Sequence, residues 1–203
     1  MTYTESMTAL SPNPASATAP IDPKKAYPRL RPLIEYLDGL NGRADLDLLG
    51  ELLTNLKLSR ADIEAACIFG ARGYRRNTIS RSDHYELLAL CWRSGHCTPI
   101  HDHKGVSCAF KVIHGTGTET RFRITDSEQI APVGSVDMAP GYLCAARDED
   151  IHQVANFQSP GKDLVTLHIY SPPIKSMNVF HAAKPADSPE VYRPVNDMDD
   201  WSV

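Results

Sequence analysis

Two histidines, His101 and His103, stand two residues apart in the stretch Gly95 to Gly115, which reads Gly-His-Cys-Thr-Pro-Ile-His-Asp-His-Lys-Gly-Val-Ser-Cys-Ala-Phe-Lys-Val-Ile-His-Gly. In an extended segment, residues i and i+2 leave the same face of the strand, one pleat apart. Two imidazoles so placed can grip one transition metal. Asp102, between them, points to the opposite face and reads as an outer-face group rather than a ligand. A metal site needs more than two ligands, so another part of the chain has to return to this strand.

The rest of the chain shows how that return is made. The 203 residues suit one domain with trimmings, long enough to bury a sizeable core. Residues 1–26 are rich in Ser, Thr, Ala and Pro and read as a disordered N-terminal arm. Residues 27–183 read as a single domain, and 184–203 as a polar C-terminal tail lying extended over the surface or hanging free. Apolar spacing predicts helices over Tyr27–Leu40 and Asp45–Leu58, with Asn41-Gly42 between them. Ser59 and Asp62 form a capping-box pattern ahead of a third short helix, Arg60–Phe69. After Gly73 the period becomes extended. Tyr85–Trp92 reads as an apolar strand buried on both faces. Further strands are expected at Ser107–Ile113, Thr118–Ile124, Ser135–Met138, Tyr142–Ala146, His152–Phe157, Leu164–Ser171 and Met177–His181. Many short strands with turn residues between them predict an all-β sandwich or barrel preceded by short helices.

A net charge of -4 gives no reason to expect nucleic acid or an anionic membrane as partner. No run approaches membrane-spanning length, and the N-terminus lacks a signal-peptide layout. The five cysteines have no framework spacing, so reduced thiols in a cytoplasm are expected.

One later strand has an unusual polar face. Val165, Leu167 and Ile169 share one side, and Thr166, His168 and Tyr170 share the other. The residues alone leave two readings: a half-exposed strand, or a hydroxyl–imidazole–phenol row directed into the barrel.

The spacing from Gly95 to Gly115 resembles the first motif of the cupin superfamily: glycine, five residues, His-any-His, three or four residues, glutamate, six residues, glycine. Every position matches except the ligating glutamate, which is Cys108 here. A partial match to the second cupin motif follows, with Gly134, Pro140-Gly141, His152 and Asn156, the interval to His152 being longer than usual. His152 is the expected third ligand, and the fold implied is a jelly-roll-like cupin barrel.

The set resembles the cysteine dioxygenases, thiol-oxidising enzymes of that superfamily, over roughly residues 70–180. The resemblance implies iron(II) held by three histidines with no carboxylate: His101, His103 and His152. The family's Cys in the glutamate position falls on Cys108, and its Ser/Thr-Leu-His-any-Tyr-Ser-Pro-Pro block on Thr166 to Pro173, giving Thr166, His168 and Tyr170 as catalytic residues. Its carboxylate clamp falls on Arg76 in Tyr74-Arg75-Arg76-Asn77, with Tyr74 beside it. Composition alone would make Arg72, Arg75 and Arg76 a solvated basic patch. Met177 stands where vertebrate members carry a Cys near the pocket. The resemblance also implies a thioether cross-link between Cys108 and Tyr170.

A third neutral imidazole in place of an anionic ligand leaves the site more positive, so an incoming thiolate supplies the missing charge. Holding thiolate and dioxygen side by side makes their reaction effectively intramolecular. The implied activity is addition of both oxygen atoms to L-cysteine, giving cysteine sulfinate, by a monomer. Other small thiols, 3-mercaptopropionate or cysteamine, and a non-catalytic metal-binding cupin that acts as a sensor or store, are the alternatives. Arg76 favours cysteine among the thiols, because 3-mercaptopropionate-oxidising relatives tend to carry Gln there.

Overall fold

Strand β9, Leu164–Ser171, is buried along its whole length and occupies the middle of the five-stranded sheet, one of two. The structure is a computed structural model describing residues 21–103, 105–147, 151–182 and 190–192. β9 pairs antiparallel with β2 (Glu86–Trp92) on one edge and β4 (Ser107–His114) on the other. With β1 (Arg75–Arg81) and β7 (Leu143–Arg147), the order is β1-β2-β9-β4-β7. The second sheet runs β11 (Glu190–Tyr192), β10 (Met177–Phe180), β3 (Ile100–His101), β8 (Ile151–Ala155), β5 (Gly117–Ile124) and β6 (Ile130–Met138).

Strand alternation gives β2 and β9 two different buried faces. Leu87, Ala89 and Cys91 of β2 and Val165, Leu167 and Ile169 of β9 face outward. They pack with Leu33, Ile34 and Leu37 of helix α2 (Arg31–Asp38) and Leu49 and Leu53 of α3 (Leu46–Asn55). Leu88, Leu90, Trp92, Phe110 and Val112 face inward and meet Val154, Met177 and Val179 of the second sheet. The result is an all-β cupin barrel with short N-terminal helices laid on the outside of one sheet.

The helices follow their local signals. Asp45 caps α3 by accepting from Leu48 N at 3.0 Å. The Ser59–Asp62 capping box forms, but the segment it opens is a 3₁₀ stretch, Arg60–Ala66, kinked at Ile63, rather than a helix to Phe69. Lys111 leaves the outer face of β4, and its Nζ donates to Leu53 O at 2.5 Å and Leu56 O at 3.0 Å. A lysine in an otherwise apolar strand thereby satisfies carbonyls at the end of α3.

Three strands differ from the sequence reading. β1 is absent from it because Arg75-Arg76-Asn77-Thr78-Ile79-Ser80-Arg81 has no apolar alternation. β3 is only two residues long. β11 falls in the stretch read as a polar tail and pairs with β10. Within the expected disordered arm, Pro23–Ala26 forms a helical turn, α1, capped by Asp22. Residues 1–20 of that arm and the remainder of the tail lie outside the described residues. Among the described residues no helix is long and apolar enough to cross a membrane.

The end of α2 is tied to the β1–β2 hairpin by one phenol. The Tyr85 hydroxyl donates to Asp38 Oδ1 at 2.5 Å and lies 2.7 Å from Ser80 Oγ. Burial and the bond to Asp38 push this phenol up to about 12. Tyr85→Phe removes the tie while keeping the ring. We expect a loss of about 1–3 kcal/mol in unfolding free energy, read as a lower urea midpoint with an unchanged slope.

Candidate metal centre

His101 ends the short strand β3, His103 follows in the next loop, and His152 lies in β8 directly opposite His101. This register supplies the return that two histidines on one strand require. The three rings sit with centroids 4.7–4.9 Å apart. One ligand atom from each lies within 4.8 Å of the others, and all three residues are buried.

The hydrogen bonds outside the cluster choose the nitrogen that faces inward. His101 Nδ1 is 3.0 Å from Pro99 O, which commits it as a donor and leaves Nε2 for the centre. His152 Nδ1 is 2.8 Å from Glu119 Oε1. His152 Nε2 is then buried with no hydrogen-bond partner. A buried lone pair without a partner is unfavourable by itself, and a metal ion is the kind of partner that three converging imidazoles accept. Burial, reinforced by His152, lowers His101 to about 3. Burial and the neighbouring imidazoles also hold His103 well below its ordinary value. His101 and His103 are therefore neutral, with lone pairs free for a metal.

Glu119 was not legible as part of this site. It lies in β5 at 1% exposure. Burial opposes its charge, but the bonds from His152 and Arg121 hold the carboxyl below its usual range. Arg121 Nε donates to Glu119 Oε2 at 3.3 Å. Strand alternation put Glu119 in a strand but gave no sign that a histidine on another strand would meet it.

The opposite wall comes from the five-stranded sheet. The row Thr166, His168 and Tyr170 faces inward and is buried, which resolves the two readings left open by the sequence. Tyr170 OH is 3.0 Å from His168 Nδ1, and His168 Nε2 is 2.9 Å from Thr166 Oγ1. Trp92 Nε1 donates to the same Thr166 oxygen at 3.1 Å, extending the row by a residue that the sequence reading did not select. Phe110 stacks on His168, with centroids 5.0 Å apart at 12°. Tyr74 stacks on Trp92, with centroids 4.2 Å apart.

Arg76, on β1, points inward with 9% exposure, so it is no part of a solvated patch. Its Nη2 donates to Glu86 Oε2 at 3.0 Å, and its guanidinium carbon lies 5.4 Å from the Tyr170 ring centroid. Burial opposes its charge, but Tyr170, Tyr74 and Glu86 outweigh that and keep it raised. Glu86 also pairs with Arg81 at 3.2 Å. A lone acid at the head of Glu86-Leu-Leu-Ala-Leu-Cys-Trp92 was a legible signal for a buried ion pair. Cys108 stands directly across the β4–β9 ladder from Tyr170. Burial raises both the Cys108 thiol and the Tyr170 phenol well above their ordinary values. Tyr74, Arg76, His101, His103, Cys108, His152, His168, Tyr170 and Met177 all line one cavity, and Thr166 stands one hydrogen bond behind. Asp102 faces away and is bonded to Asn178.

A family model described as cysteine dioxygenase type I matches residues 22–183 of this chain. Cysteine dioxygenase type 1 of Homo sapiens is 32% identical over 111 residues, covering 53% of this chain and 55% of that protein. The protein of the same name from Danio rerio is 32% identical over 112 residues, with the same coverage. The chain thus spans about half the length of the curated relatives it matches. Among solved structures, an uncharacterised protein with a double-stranded β-helix domain from Klebsiella pneumoniae is similar at a TM-score of 0.46 and 11% identity. That match covers 59% of this chain and 94% of the other.

Removing the outer partner of a metal-binding histidine typically lowers metal affinity about 10- to 100-fold. Glu119→Gln should do so here without unfolding the barrel. His152→Ala should remove most bound metal. Anaerobic competition for iron(II) against a chelator measures both, and full occupancy in His152→Ala would refute the three-histidine centre.

Proposed function

The chain belongs to the cysteine dioxygenase type I family, and on that premise we propose that it is an iron(II)-dependent dioxygenase of L-cysteine. The observation that carries this reading is the pairing of a buried three-imidazole cluster with Arg76 and Tyr170 on the facing wall of one cavity. A thiolate and dioxygen sum to a sulfinate, with both oxygen atoms on sulfur and no external reductant. Iron(II), held by His101, His103 and His152, would bring sulfur and dioxygen together and mediate electron transfer between them.

The other residues bind, orient and protonate. Arg76 offers its remaining N–H groups to the substrate carboxylate, while Glu86 holds the guanidinium in place. Tyr74, stacked on Trp92, adds a second polar edge beside it. The apolar walls, Leu90, Phe110, Val154 and Met177, restrict the entry of water.

The direction of the hydrogen-bonded row follows from its far end. Trp92 can only donate, so the Thr166 oxygen accepts. In the tautomer that takes the Thr166 proton at Nε2, His168 presents Nδ1–H to the Tyr170 oxygen. The Tyr170 proton is left for the ligand. Tyr170 is thereby a donor toward the substrate carboxylate or dioxygen, and His168 and Thr166 orient it.

Cys108 is the residue that distinguishes this set from cupins with a carboxylate ligand. Its place opposite Tyr170 supports formation of a thioether between the thiol sulfur and the phenol ring. The bond forms with loss of one hydrogen from each residue, two electrons and two protons passing to dioxygen. The cross-link would hold the phenol fixed beside the metal.

Two measurements test these assignments. In oxygen-uptake assays on a thiol panel, cysteine should be oxidised to its sulfinate and cysteamine, which lacks a carboxylate, should be a poor substrate. Loss of a desolvated carboxylate's partner is worth roughly 2–5 kcal/mol, so Arg76→Ala should raise the KM for cysteine at least about thirtyfold. Equal turnover of cysteine and cysteamine by the wild type would overturn the role of Arg76. After aerobic turnover, mass spectrometry should find a species lighter by two hydrogens that joins the peptides holding Cys108 and Tyr170. Cys108→Gly should lose that species and keep measurable activity, whereas Tyr170→Phe should lower activity more.

A further inference from the structure

Outside the cavity, two thiols meet where the 3₁₀ stretch Arg60–Ala66 packs on the outer face of β2. Cys67 follows that stretch and is half-buried, and Cys91 is fully buried in β2. The two thiols are neighbours, close enough to influence each other's ionisation. Both thiols also reach carbonyls of the same segment: Cys67 Sγ to Ile63 O at 3.4 Å and Cys91 Sγ to Ala66 O at 3.7 Å. Asn77 Nδ2, on β1, lies 3.5 Å from Cys91 Sγ and 2.9 Å from Ile68 O, fastening the strands to the same segment.

We propose that Cys67 and Cys91 form a peroxide-sensitive dithiol site, in which Cys67 is oxidised first and Cys91 resolves it to a disulfide. Their environments divide the roles. Cys67 is reachable from solvent and stands near the Arg60 guanidinium. Cys91, aided by Arg60, holds its thiol below the ordinary value despite burial. The thiolate is the form that attacks peroxide. Cys91 is the opposite case: Cys67 and burial push its thiol far up, so it stays protonated and does not compete. A reactive, accessible cysteine beside a resolving one is the arrangement redox-sensing pairs use.

The chemistry balances with a hydroperoxide as oxidant. The Cys67 thiolate takes one oxygen from hydrogen peroxide, giving a sulfenic acid and hydroxide. Cys91 sulfur then attacks Cys67 sulfur, and the sulfenic oxygen leaves as water with the Cys91 proton. Each sulfur has lost one electron, and the peroxide has become one water and one hydroxide, which takes a proton from solvent. Two molecules of a small thiol reverse the link by exchange, leaving as their own disulfide. Resting on the proposed function, that reductant is of the same class as the substrate, so the site responds to thiol supply.

The test uses the full chain, both metal-loaded and after chelation. It is exposed to a few equivalents of hydrogen peroxide, alkylated and digested. The expected result is a peptide pair joined through Cys67 and Cys91, lighter by two hydrogens, formed with or without metal and reversed by millimolar cysteine or dithiothreitol. Cys91→Ser should stop Cys67 at the sulfenic acid, trapped by dimedone, and Cys67→Ser should leave Cys91 unmodified. Oxidation of Cys97 or Cys144 ahead of Cys67, or Cys67 passing to sulfinic acid in the wild type without a link, overturns the proposal. None of these readouts requires turnover, so a failed dioxygenase assay leaves the result interpretable, and the reverse also holds.

Discussion

The two hydrogen-bond ladders along β9 hold the whole arrangement in register. On one edge they set His168 opposite Leu88 and Tyr170 opposite Glu86; on the other they set His168 opposite Phe110 and Tyr170 opposite Cys108. A shift by one residue would turn Thr166, His168 and Tyr170 toward the helices and Leu167 and Ile169 into the cavity. Neither interior could accept that. The outer one is an apolar contact with α2 and α3, and the inner one needs the polar row. Packing against the helices and placement of the polar row are thus two consequences of one register.

The same register decides the electrostatics. The six-stranded sheet and the loop after β3 contribute the three imidazoles, of which burial keeps His101 and His103 neutral. The five-stranded sheet contributes a buried cation to the cavity, Arg76. Its counter-ion Glu86 is shared with Arg81, whose side chain is 47% exposed. A buried charge without a partner would be strongly unfavourable, and Glu86 supplies that partner within the chain. Because Glu86 is divided between two guanidinium groups, Arg76 keeps an appetite for a second anion. Under the proposed function that anion is the substrate carboxylate, and the neutral histidines leave the metal to draw the thiolate. One molecule carrying both groups then satisfies both walls.

Much of this was legible in the sequence because it depends on period two. His101 and His103 share a face for that reason, and so do Thr166, His168 and Tyr170. Neither argument requires knowing which strands are neighbours. What stayed hidden depends on strand neighbours. The contact of Glu119 with His152 spans 33 residues of sequence and exists only because β5 and β8 are adjacent. Arg76 was reached only through the family resemblance, not through periodicity. Its strand is polar, so no hydrophobic alternation marks β1, and pairing with the apolar β2 makes it a strand anyway. Trp92 looked like one more core aromatic, and its N–H acquires meaning only from Thr166 on the adjacent strand.

Position 108 shows how a lost ligand can leave its charge nearby. In the cupin pattern a glutamate there would coordinate from β4. Cys108 instead faces the Tyr170 ring across one rung of the ladder, a small and uncharged neighbour that leaves room for the phenol. The carboxylate has not vanished from the site's surroundings. Glu119 sits behind His152, one hydrogen bond from the ring, and is itself tied to Arg121 at the surface. From there it fixes which nitrogen His152 turns inward and strengthens that nitrogen as a donor, without occupying a coordination position. Moving the negative charge from the metal's own ligands to the far side of an imidazole keeps the histidine oriented. Under the proposed function it would also leave one position at the centre for the substrate thiolate, with Arg76 on the facing wall to meet the carboxylate of the same molecule.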